Sequence, residues 1–168
     1  MILNLLRTYL HSPQLTLAQA SRFLRLVFLL AFMGQFVVAM ATGLALRLAV
    51  PDVPEPSSGI LGWVLVFISL PHLPLVLFLS TRGTRALNRG ASLSSTLLAG
   101  VLLSTPAWFL SLAMITRQAQ IHMFLLLGIL VFQYALGMFL TSRFARLVIP
   151  AEPAQPEAAA ETAGESGS

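Results

Sequence analysis

Three polar side chains in this 168-residue chain stand at the same distance from an arginine. Gln35 follows Arg25 by ten residues, His72 precedes Arg82 by ten, and Gln133 precedes Arg143 by ten. A helix rises ~1.5 Å per residue, so each would lie about 15 Å from its arginine, at the midplane of a ~30 Å hydrocarbon layer. Tyr134 adjoins this layer and Ser69 lies one turn from His72. Gln35, Ser69, His72, Gln133 and Tyr134 are therefore the candidate binding residues. Together they offer amide, hydroxyl and phenol hydrogen-bonding groups and one titratable imidazole.

His72 carries the most specific signal. It stands in Leu70-Pro71-His72-Leu73-Pro74, and each proline lacks an N–H. The carbonyls of Phe67 and Leu70 should therefore lose their helical partners. At membrane depth such carbonyls persist only where protein, water or a ligand satisfies them, and a proline-interrupted helix is a pointer to a binding site. The competing reading is a kinked helix whose histidine bonds to Gln35 or Gln133 as packing glue.

Other chemistries are excluded or unsupported. No Asp, Glu, Lys or Arg falls within the long uncharged intervals, whereas proton-coupled carriers, di-iron bundles and voltage sensors need an intramembrane ionisable group. The absence of cysteine removes thiol catalysis, cysteinyl metal sites and covalent c-type haem. A bis-histidine haem between His72 and His122 would have to bridge an offset of ~15 Å or more along the membrane normal. The expectation is thus no catalytic residue, no metal and no cofactor. A lipid-modifying enzyme would need an interfacial nucleophile or metal cluster, and Arg82-Gly83-Thr84-Arg85 is only a basic loop.

The elements that must position these residues follow from charge spacing. Uncharged runs of 21, 26, 27 and 25 residues lie between Arg25 and Arg47, Glu55 and Arg82, Arg89 and Arg117, and Arg117 and Arg143. Each can hold one membrane span of about 20 residues, and none can hold two. The fold class expected is an all-α integral membrane protein. Its four transmembrane helices, near 26–46, 60–80, 92–115 and 121–142, would form an antiparallel bundle. Composition agrees, since 57% of residues are hydrophobic and 10% charged, against about 25% charged in soluble domains.

Arginine placement gives direction. All ten basic residues are arginine. A cytoplasmic N-terminus puts eight of them inside (Arg7, Arg22, Arg25, Arg82, Arg85, Arg89, Arg143, Arg146) and leaves Arg47 and Arg117 outside. Both termini are expected in the cytoplasm, with the chain in the cell membrane (the inner one in a bacterium). Because the arginines end apolar runs instead of sharing a face, nucleic acid is not an expected partner. Ala39-Met40-Ala41 has the form of a signal-peptide cleavage site, but 25 residues precede the apolar run and it continues to Leu46. A retained span is expected there.

Three segments result. Residues 1–25 are basic and form either an interfacial helix beginning at Ser12-Pro13 or an extension of the first span. Residues 26–148 form the membrane domain. Residues 149–168 carry four glutamates and no base, the composition of a disordered tail. Within the spans, Gln35-Ala39-Gly43, Gly100-Ser104-Ala107-Ser111 and Gln133-Gly137-Thr141 recur at helical spacing. Such small-residue stripes let helices approach closely in lipid. They suit contact with a membrane-protein partner or a second copy. The function expected is a non-catalytic accessory subunit or assembly factor of a larger membrane complex. The alternative is a small oligomeric transporter or channel with a midplane polar site around His72.

Overall fold

The computed structural model describes residues 2–11, 15–50, 59–72, 74–75 and 89–148. All its elements are helices: α1 (Ile2–His11), α2 (Leu17–Ala49), α3 (Ile60–Ser69), α4 (Arg89–Ser104), α5 (Pro106–Ile115) and α6 (Gln120–Val148). Three stretches are long and apolar enough to cross a bilayer. These are Leu17–Ala49, Arg89–Ile115 and Gln120–Val148, of 33, 27 and 29 residues, against the ~20 required. They contain the expected spans 26–46, 92–115 and 121–142. Of the expected span 60–80, Ile60–Ser69 is a ten-residue apolar helix, and residues 73 and 76–80 lie outside the described part.

Local chemistry sets the ends. α2 starts with a capping box: the Thr16 hydroxyl accepts from the Gln19 N–H at 3.3 Å, and the Gln19 side chain accepts from the Thr16 N–H at 3.1 Å. Two otherwise orphaned donors are satisfied reciprocally. This differs from the start expected at Ser12-Pro13, which lies outside the described residues. Residues 17–25 thus continue the first span without a break.

The long apolar stretch Arg89–Ile115 is not one continuous helix. Pro106 has no N–H, so the Leu102 carbonyl cannot take its normal partner. The Thr105 N–H donates to it instead at 3.3 Å, in a tighter turn, and the Trp108 N–H resumes the ladder on the Thr105 carbonyl at 3.0 Å. Two helices, α4 and α5, therefore share one stretch long enough to cross a bilayer.

Small residues bring these helices together. Ala39 and Gly43 on α2, Gly100, Ser104, Ala107 and Ser111 on α4–α5, and Gly137 and Thr141 on α6 are all buried. A Cβ on Gly43 would collide with the Ser111 hydroxyl, and one on Gly137 would lie inside the Phe28 ring. Phe28 is fully buried in the space Gly137 leaves. In lipid, where apolar burial supplies little drive between helices, close backbone approach is what holds them.

α1 folds back onto the bundle. Tyr9 is 1% exposed, stacks on Phe23 of α2 with ring centres 4.7 Å apart, and its hydroxyl bonds to the Ser92 hydroxyl of α4. The Arg89 guanidinium donates to the Tyr9 and Leu10 carbonyls at 3.2 and 3.4 Å. Those carbonyls belong to the last turn of α1, which leaves its carbonyls without intrahelical partners and carries the negative end of the helix dipole. Burial is the main influence on Tyr9 and pushes its phenol above the ordinary value of 10. The Ser92 bond and the Arg89 charge work the other way.

Candidate functional site

α3 ends at Ser69, two residues before Pro71, and two carbonyls at this end find specific partners. The Phe67 carbonyl, expected to be left open, accepts from the Leu70 N–H at 3.3 Å in a tightened turn. The Ser69 carbonyl accepts from Nε2 of Gln133 at 3.3 Å, across the interface with α6. Ser69 and Gln133 are both wholly buried. The Ser69 hydroxyl turns back to the Val66 carbonyl at 2.6 Å. An amide on one helix thus bonds to the end carbonyl of its neighbour, the kind of partner that a helix end needs at membrane depth.

Of the five candidate residues, then, Ser69 and Gln133 meet directly. His72 stands one turn beyond Ser69 and is half-buried, its ring edge-on to Phe109 of α5 at 6.1 Å. Tyr134 faces another way, packing against Phe28 and Phe32 of α2 at 6.1 and 5.5 Å. Gln35 is half-buried, and among the described residues its side chain makes no hydrogen bond. Equal depth did not make one cluster. The pairing of His72 with Gln35 or Gln133 expected of packing glue is absent among the described residues, because the Gln133 amide goes to a backbone carbonyl. The other Gln133 amide atom, Oε1, and Nδ1 of His72 are buried without a hydrogen-bond partner.

His122 forms a second buried polar position. It is 3% exposed at the start of α6, and its ring lies so close to Gly62 that a Cβ there would overlap it. Trp63 meets the imidazole edge-on at 5.1 Å. Both ring nitrogens are buried with no hydrogen-bond partner. In the sequence His122 stands out only as a candidate haem ligand. Its seat depends on α3 packing against α6, which no local spacing reveals. Gly62 and His72 are ten residues apart along the chain, so the two histidines belong to separate depths. Among the described residues no group of three or more metal-ligating side chains converges.

No protein-family model matches the chain, and no curated protein or solved structure matches it.

Proposed function

We propose that this multi-pass membrane protein is a non-catalytic accessory subunit or assembly factor of a larger membrane complex, with both termini in the cytoplasm. The observation that supports this reading is the use of the midplane polar groups. Gln133 bonds to the Ser69 carbonyl, so a group that could have served a ligand instead closes the fold. The small-residue stripes are likewise used inside the chain. A partner would therefore meet the broad apolar faces that remain, such as Phe124, Val131, Phe132 and Phe139 of α6, each at least 60% exposed. Purification from the native membrane in a mild detergent tests the proposal. Defined subunits in fixed ratio are expected, and they should be lost when Val131 and Phe139 are both replaced by Trp. A chain that always purifies alone would overturn it.

A second reading, a small oligomeric transporter or channel, is favoured by two atoms. Nδ1 of His72 and Oε1 of Gln133 are buried without partners, and such atoms are costly unless something occasionally satisfies them. Flux in vesicles that is abolished by His72→Ala, with thermal stability kept, would favour this reading over the first.

A further inference from the structure

Three clefts run end to end along α2 and α6, the second and third also walled by α5 or the turn after it. The first, of about 170 Å³, is lined by Phe32, Phe36, Leu127, Val131 and Tyr134 among others, with no polar surface. It shares Phe36 and Leu127 with a second of about 430 Å³, which adds Met40, Met114 and Met123. That one shares Met114 and Met123 with a third, of about 390 Å³, bounded by Arg47, Arg117 and Gln118. One groove thus begins among apolar side chains at mid-depth and ends at two guanidinium groups.

Its dimensions fit a single lipid leaflet. Met123 and Tyr134 are eleven residues apart on α6, or about 16 Å along a helix. Half of a ~30 Å hydrocarbon layer is about 15 Å. Methionines, whose unbranched side chains adapt to irregular shapes, line the middle of the path.

The charged end carries independent signs of a ligand. Gln118 is 4% exposed and its Oε1 is buried without a hydrogen-bond partner, as is one terminal nitrogen of Arg47. The turn that presents Arg117 is also unusual. The Arg117 N–H donates to the Met114 carbonyl and the Gln118 N–H to the Ala113 carbonyl at 3.0 Å, the paired bonds of a Schellman helix end. The left-handed position of that motif is normally glycine. Here it is Arg117, at φ 50°, a conformation that L-residues other than Asn and Asp rarely adopt. A side chain kept in so rare a conformation points to a use for it.

We infer that this groove seats one anionic phospholipid, its phosphate between Arg47 and Arg117 and one acyl chain running past Met123 and Leu127 toward Tyr134. Guanidinium groups suit phosphate because their forked N–H donors match its oxygens. The inference goes beyond the proposed function and depends only on the helices crossing a bilayer, not on which end faces out.

The test is lipid retention. Purified protein is stripped of lipid, offered phosphatidylglycerol or phosphatidylcholine in mixed micelles, and weighed by native mass spectrometry. One phosphatidylglycerol per chain is expected, held about tenfold more tightly than phosphatidylcholine. Arg47→Gln should weaken retention about tenfold, the scale of one hydrogen bond to a charged group. Leu127→Trp, at a position 43% exposed to lipid and shared by two clefts, should block the chain path without touching the arginines. Arg117→Gly should raise the melting temperature by about 2–4 °C while lowering retention, a split that a purely structural arginine would not give. Equal retention of the two lipids, or retention unchanged by Arg47→Gln or by Leu127→Trp, would overturn the inference. So would a wild-type chain that takes up no phosphatidylglycerol while the Asp52→Asn, Glu55→Gln variant does, since the chain's own carboxylates would then fill the cleft.

Discussion

The two ends of the bundle treat their polar groups in opposite ways. At the end where α2 and α4 begin, donors and acceptors meet: Tyr9 bonds to Ser92, Arg89 holds the last carbonyls of α1, and Arg25 donates to Ser142 at 2.8 Å. At the opposite end, Arg47, Gln118 and both nitrogens of His122 include buried atoms with no hydrogen-bond partner among the described residues. A buried polar atom without a partner costs about 1–3 kcal/mol. One end therefore spends its polar groups on holding helices together. The other leaves several buried polar atoms without a partner among the described residues, and it is there that a ligand has something to gain.

The largest expected effect is all-or-none and concerns which side each end faces. The chain has no cysteine, so single replacements report cleanly. Cysteines at Ser57 and Ala119 should react with an impermeant maleimide in intact cells, and one at Thr84 should not. Ala119 is exposed, whereas its neighbour Gln118 is too buried to serve. Reaction at Thr84 in intact cells would reverse the assignment of the two ends.

Next in size is the loss of the Tyr9 anchor. Tyr9→Ala should cost about 3 kcal/mol, the lower range for removing a buried aromatic ring. It would be read as a lower melting temperature and faster trypsin cleavage after Arg7. Alkali should do the same more gently. Burial raises the Tyr9 phenol above 10, so the folded state holds its proton more tightly than the unfolded chain. This contribution is complete below about pH 10 and is lost as pH climbs through the raised value. Tyr9→Phe should lack that alkaline loss, and a wild-type chain indifferent to pH there would contradict the docked position of α1.

Much of the architecture was legible because charge is so costly in lipid that its spacing along the chain marks out the spans. The stripe through Gly100, Ser104, Ala107 and Ser111 was readable for a similar reason, since small residues at helical spacing have few other uses in a span. The break at Pro106 falls inside the expected helix 92–115. An uncharged run reports length and says nothing of backbone continuity. The Tyr9–Ser92 contact and the His122 seat against Gly62 could not be read at all. Each joins residues from different helices, and only three-dimensional packing selects those pairs. The same limit explains Gln35, which shares the depth of Gln133 but not its partner.

A milder contrast sharpens the difference between the ends. Tyr9→Phe removes a hydroxyl that has a partner and should destabilise by about 1 kcal/mol. His122→Phe removes two nitrogens that have none, in an apolar seat of similar shape. It should be neutral or stabilising by up to about 1 kcal/mol, as replacing unpaired buried polar groups often is. Thermal melts of the two variants side by side would decide it. A loss of 2 kcal/mol or more for His122→Phe would mean that the imidazole is held by a bond.

The smallest effect is expected from deleting residues 152–168. Their Glu-, Pro- and Ala-rich composition offers no apolar face to dock. Melting temperature and membrane insertion of the truncated chain should match the full chain. A clear drop in either would give the tail a structural role.

The grip of Arg89 and Ser92 on α1 also imposes an order in time. Tyr9 is made 83 residues before the serine it bonds to. At a synthesis rate of ~5–20 residues per second, that gap is roughly 4–17 s. Throughout it α1 exists without its dock, with Leu6, Tyr9 and Leu10 uncovered on one face and Arg7, Thr8 and His11 on the other. A short helix of that character rests at a membrane surface. Residues made early are thus among the last to find their place, and α1 waits at the membrane surface until α4 is made.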